Sequence, residues 1–108
     1  MKSIDVLNGR RRRPTHPGEL LREDVLPATN LTQQEFANRL GVSRRTVSEL
    51  LHERRPVTTD MALRLGCVLG NGPGIWLRMQ QAVDVWDAFQ EHKIDYQNLK
   101  PIPKPRVA

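Results

Sequence analysis

Cysteine is nearly absent from this chain of 108 residues. The one present, Cys67, can form neither an internal disulfide nor a multi-thiolate metal site, which points to a reducing compartment. Aromatic residues are 5% and apolar residues 38%, enough for one small core and too little for a large enzyme with a deep pocket. No stretch approaches the roughly 18 apolar residues of a membrane span, so no membrane protein is expected. The first residues lack the apolar segment of a secretory signal, and a soluble cytoplasmic protein is expected. Strand signals are missing too: no apolar–polar alternation is found, and Asn71-Gly72 lies between helical patterns. His16, His52 and His92 are far apart in the sequence, with no His-x-x-x-His or Cys-x-x-Cys spacing. Neither a metal nor a cofactor is expected, and no nucleophile or phosphate loop points to an enzyme.

What the chain has is positive charge. Lys and Arg number 17 against 12 Asp and Glu, a formal net charge of +5, which favours an acidic partner, nucleic acid first. Arg10 to Arg13 form one run. Arg39, Arg44, Arg45, Arg54 and Arg55 form a second group, diluted by Glu49 and Glu53, whereas Asp84 to Asp95 is acidic. Residues 1–15 read as a flexible basic arm, which either reaches phosphates or a minor groove, is a solvated charge run, or orders on a protein partner. Residues 93–108, with Pro101, Pro103 and Pro105, read as an extended Pro-rich tail. The globular part is 16–92.

That part reads as five helices. The first runs from about Pro17 to Leu26, with His16 at its start, Leu20, Leu21 and Val25 on one face and Pro27 just past its end. The second opens at Thr32, which stands in capping-box spacing with Glu35. It carries Phe36, Ala37 and Leu40 and closes at Gly41. The third opens at Ser43 with Val47, Leu50 and Leu51 inward. The fourth starts near Thr58 and shows Met61, Ala62, Leu65, Val68 and Leu69 before Gly70; Cys67 falls in its apolar stretch and reads as core. The fifth has Pro73 in its first turn and a face of Trp76, Met79, Val83, Trp86 and Phe89, widened by Leu77, Ala82 and Val85. That stripe exceeds what one small core requires. Trp76 reads as core, and Trp86 and Phe89 as cover for a second chain in a symmetric dimer.

Residues 32–51 carry the functional spacing: two short helices joined through Gly41 and Val42, a helix-turn-helix. The second helix can enter a major groove while the first crosses the backbone. Arg44, Arg45, Ser48 and Glu49 lie outward near its start. Arginine can bond guanine O6 and N7, glutamate can accept from cytosine N4, and serine adapts to either. Thr32 and Gln33 can hold a phosphate at a helix N-terminus, and Arg54 and Arg55 suit phosphate contacts or are simply solvated. Glu49 can also pair with Arg45 at i, i+4, which would orient the arginine. With Ser43 and Thr46, these residues form the expected contact set for double-stranded operator DNA.

Residues 16–86 closely resemble the HigA family of antitoxins, members of the XRE helix-turn-helix group with the lambda-repressor-like fold. The marks are His16-Pro17-Gly18-Glu19, Leu40-Gly41-Val42-Ser43, Val47-Ser48-Glu49-Leu50-Leu51, Thr58, Met61-Ala62-Leu63-Arg64-Leu65 and Trp76-Leu77. The resemblance implies an all-α, dimeric protein with two tasks. One is to neutralise a small basic ribonuclease toxin of the RelE or HigB type that cuts messenger RNA. The other is to repress its own operon. By position, Gln33, Arg44, Arg45, Ser48 and Glu49 match the family's DNA-contacting places. A stand-alone, phage-type repressor without a toxin is the alternative. The chain departs from the family at Gly72-Pro73-Gly74, where Ser-Pro-Glu is usual, which loosens that helix start by roughly 1 kcal/mol. A basic toxin would need a local acidic or apolar surface on this basic chain: Glu19, Glu23 and Asp24, or Asp84, Asp87 and Glu91.

Overall fold

Thr32 and Glu35 cap a helix reciprocally. In the computed structural model, which describes residues 12–103, the Thr32 hydroxyl accepts from the Glu35 N–H at 3.1 Å, and the Glu35 carboxylate accepts from the Thr32 N–H at 2.9 Å. Two otherwise orphaned donors are satisfied, so the helix starts at the next residue. The elements in chain order are α1 (Pro17–Leu20), a π-helical turn (Leu21–Val25), α2 (Leu26–Thr29), α3 (Gln33–Leu40), α4 (Arg44–Leu51), α5 (Thr59–Leu69), α6 (Gly74–Glu91) and α7 (Lys93–Gln97). All described regular structure is helical. The five expected helices are present, α1, the π turn and α2 together making the first, and α7 is a short sixth.

The first helix does not stop before Pro27. It runs on to Thr29 and closes at Asn30, whose φ is +60°. The widened turn explains why. The Leu26 N–H donates to the Leu21 carbonyl five residues back. Pro27 then falls in the first turn of α2, where its missing N–H leaves no bond unmade.

Gly41 ends α3 with φ at +73°, in the left-handed region where a side chain is strained, and the chain turns at once into α4. Ser43 caps α4, its Oγ accepting from the Thr46 N–H at 3.1 Å. Leu21, Phe36, Ala37, Val47, Leu50, Ala62, Leu65 and Trp76 form the centre of one core. Ala37 is fully buried, as expected of a small residue where α3 and α4 cross. Arg64 on α5 donates Nη1 to the Leu40 carbonyl at 2.9 Å, fastening α5 to the end of α3. Gln80 on α6 is buried and accepts from the Val57 N–H at 2.8 Å, holding the segment that leads into α5.

Three expectations are corrected here. Cys67 is exposed, because α5 turns Met61, Ala62, Leu65 and Gly66 inward instead. Gly66 is on that face because α5 meets the Gly72–Pro73 backbone there, leaving no room for a Cβ. Phe89 is only 2% exposed in the single chain: its ring stacks on Tyr96 at 6.1 Å between centroids. It is therefore covered from within, by α7, in a stretch expected to be extended. Residues 104–108 of the expected tail, and residues 1–11 of the expected arm, including Arg10 and Arg11, lie outside the described residues.

Candidate nucleic-acid interface

The recognition surface begins with how α4 is held. Val47, Leu50 and Leu51 are buried against α1, α3 and the core, so the opposite face of α4 points outward. Arg44 and Arg45 lie there, in the first turn of the helix. Both are exposed, the Arg45 side chain at 86%. Ser48 and Glu49, one turn further on, are half-buried.

The other expected contact residues divide by what already occupies them. The Ser43 hydroxyl is the cap of α4 and is also bonded to the Thr46 hydroxyl at 2.9 Å, so the two engage each other. The Thr32 hydroxyl caps α3. Gln33, in the first turn of α3, stands beside an open groove lined by Arg22, Pro27, Asn30 and Thr32. Arg54 is exposed and makes no ion pair among the described residues. Arg55 is committed: its Nη2 and Nε donate to Glu49 Oε1 at 2.8 and 3.2 Å. Glu49 Oε2 accepts from Arg45 Nε at 3.1 Å, the i, i+4 pair read from the sequence. The Arg55 guanidinium first, then that of Arg45, hold the Glu49 carboxyl below the usual carboxylate range.

Behind the recognition helix lies a polar cluster that spacing did not reveal. Arg22 Nη1 donates to the Leu51 carbonyl at 2.7 Å, satisfying the C-terminal end of α4. Glu53 follows in the left-handed region, φ +61°, with Arg22 at 3.5 Å and Arg13 at 3.6 Å. Arg13 also forms a two-bond pair with Asp87 of α6. His16 caps α1: its Nδ1 accepts from the Gly18 N–H at 2.9 Å. Burial is the main reason its pKa lies below the usual imidazole value. The His16 cap is local, but the arginine partners are 29 to 74 residues apart in the chain, beyond any local pattern. The Asp87 carboxylate, one of the acidic groups considered for a toxin, is thus already engaged by Arg13.

Two eight-residue helices around a glycine turn, the second presenting paired arginines to solvent, define a helix-turn-helix DNA-binding domain. The helix-turn-helix family (HTH_3) matches residues 21–76. Antitoxin HigA-1 of Vibrio cholerae is 36% identical over 92 residues, 85% of this chain and 87% of that protein. Two solved structures superpose closely. The Pseudomonas aeruginosa antitoxin HigA with the higBA promoter has a TM-score of 0.78 and 30% identity, over 83% of this chain and 99% of that one. The antitoxin GraA in complex with its operator has a TM-score of 0.77 and 37% identity, over 92% of this chain and 97% of that one. The chain belongs to the HigA family of helix-turn-helix antitoxins.

Proposed function

We propose that this antitoxin represses its own operon by placing α4 in the major groove of the promoter, and that it neutralises a small basic ribonuclease of the RelE or HigB type that cuts messenger RNA. One observation carries the DNA half: Arg44 and Arg45 project from the first turn of a helix whose other side is wholly committed to the core. Exposed arginines at a helix start suit guanine edges, and the exposed Arg54 and the N-terminus of α3 at Gln33 suit phosphates. That two structural relatives are solved on promoter or operator DNA supports this reading. Family membership supports the toxin half.

A symmetric homodimer is part of the proposal, since two recognition helices then meet successive major grooves about one helical turn apart. Trp86, half-buried on α6, is the anchor offered to the second chain.

Expression from the native locus with the neighbouring reading frames intact tests the whole. A stoichiometric basic companion, toxic alone and harmless with this chain, is the expected result. Specific promoter binding without any companion would replace the antitoxin with a stand-alone repressor. Loss of promoter specificity in neither Arg44→Ala nor Arg45→Ala would show that α4 is not the reading helix.

A further inference from the structure

Glu49 stands between two arginines of the DNA-facing surface and accepts three hydrogen bonds from them. A carboxylate offers about four acceptor positions, so little of this one remains for a base. The geometry of each bond matters. Arg45 spends only Nε on Glu49, and its two terminal nitrogens, which can together meet guanine O6 and N7, are not used by that bond. Arg55 spends Nε and Nη2, the edge that would otherwise grip a phosphate in two-bond fashion. Arg55 therefore fixes the far side of Glu49, and Glu49 fixes the stem of Arg45. The Glu49 side chain is 27% exposed, against 86% for Arg45. The carboxylate is the partly sheltered anchor, and the arginine is the reaching group.

We infer that Glu49 is a positioning residue for operator recognition: braced by Arg55, it holds Arg45 in the direction of a guanine and reads no base itself. The inference rests on the operator-binding reading above. An unbraced arginine loses its rotamer freedom when it binds, whereas a braced one has given up part of it beforehand. Glu49 also repels phosphate, and that repulsion falls on every DNA sequence alike. Its removal should therefore weaken operator binding relative to scrambled DNA while strengthening scrambled DNA itself. A direct base reader would act differently, losing discrimination at a base pair of its own that Arg45 does not read.

The test uses the full chain, the promoter fragment upstream of its own coding sequence, and a scrambled fragment of equal length. Fluorescence anisotropy at several salt concentrations gives the ratio of the two affinities for wild type, Glu49→Gln, Glu49→Ala, Arg45→Ala and Arg55→Ala. Glu49→Ala is expected to narrow the ratio by ~10-fold, the size of coupling that contacting groups show. Glu49→Gln should keep part of it, and Arg55→Ala should move it the same way. Glu49→Ala added to Arg45→Ala should narrow it little further. Two results overturn the inference: losses at Glu49 and Arg45 that multiply, or, on promoter fragments with single base pairs substituted, a Glu49→Ala loss of discrimination at a base pair where Arg45→Ala loses none. A wild type that does not distinguish promoter from scrambled DNA overturns the operator reading itself, and the inference with it. Matched circular-dichroism melts separate these effects from misfolding, and Glu49→Gln keeps the side-chain shape if the alanine variant melts early.

Discussion

Arg13 and Asp87, 74 residues apart, face each other through parallel bonds, Nε to Oδ1 at 2.8 Å and Nη2 to Oδ2 at 2.7 Å. The pair pins the segment before α1 onto the last long helix. Arg13 reaches Glu53 with Nη1 at 3.6 Å, so the same side chain touches the end of the recognition helix as well. The residue that was to belong to a loose arm is a strap.

Its energetic worth is small, because the two side chains are 42% and 50% exposed and solvent screens the pair. Arg13→Ala is expected to cost at most about 1 kcal/mol in thermal unfolding, and less in high salt. The larger effect should be local. Limited trypsin digestion should cut at Arg12 or earlier faster in the variant, with the 16–92 core equally resistant in both.

Arg44→Ala and Arg45→Ala should each weaken promoter binding by roughly 1–3 kcal/mol and relax base preference, as expected of groups meeting base edges. Arg54→Ala should weaken all sequences alike and lower the salt slope by about 1. Binding isotherms on promoter and scrambled fragments at several salt concentrations distinguish the two patterns.

Gly18→Ala should be severe although the residue is only one atom larger. A Cβ there would strike the Leu50 carbonyl oxygen of α4, and backbone cannot swing aside as a flexible side chain can. The expected loss is about 2 kcal/mol or more, with α4 displaced. Urea titration should show an earlier midpoint, and promoter affinity should fall further than the unfolded fraction accounts for.

His16 makes stability depend on pH. The folded protein holds the imidazole neutral, mainly by burial, so its pKa lies below the ordinary 6.5. Its Nδ1 accepts from Gly18, a bond that protonation removes. The unfolded chain therefore binds the proton more readily, and this contribution is fully present above about pH 6.5 and is lost as pH falls toward the depressed folded value. Melting between pH 7 and pH 5 should show a slope that His16→Ser, which keeps a capping oxygen, lacks. An equal slope in both proteins would assign it elsewhere.

The dimer is checked by sedimentation. Wild type should sediment as a dimer at micromolar concentration and Trp86→Ala should shift toward monomer. Phe89→Ala should instead act on the single chain, by uncovering Tyr96 and loosening α7, with unfolding midpoint as the readout.

Local rules made the helix-turn-helix legible. The Thr32–Glu35 box, Gly41 and the Ser43 cap are each decided within four residues, and each is found as expected. The Arg45–Glu49 pair was equally visible, because one helical turn separates its members. Arg55 was not: it joins the same carboxylate from beyond the helix end, through a chain reversal at Glu53 that no spacing announces. Gln80 was hidden for a different reason. A polar residue on an otherwise apolar face betrays itself only once its buried partner, the Val57 N–H, is known. Phe89 misled because an apolar stripe shows how much surface needs cover and not what supplies it; here it is Tyr96, seven residues along the same chain.

The widened turn at Leu21–Val25 gives the first helix one residue more than a regular spiral would hold. In an α-helix one extra residue turns everything after it by about 100°. Here the turn itself absorbs that rotation, so buried Leu21 and partly buried Leu26, five apart, both reach the core. The segment is therefore a place where the chain can change length by one. Deleting a single residue between Leu21 and Leu26 should tighten the spiral to ordinary pitch and leave the faces of α3 and α4 where they are, whereas the same deletion inside α4 would turn Arg44 and Arg45 away from the groove.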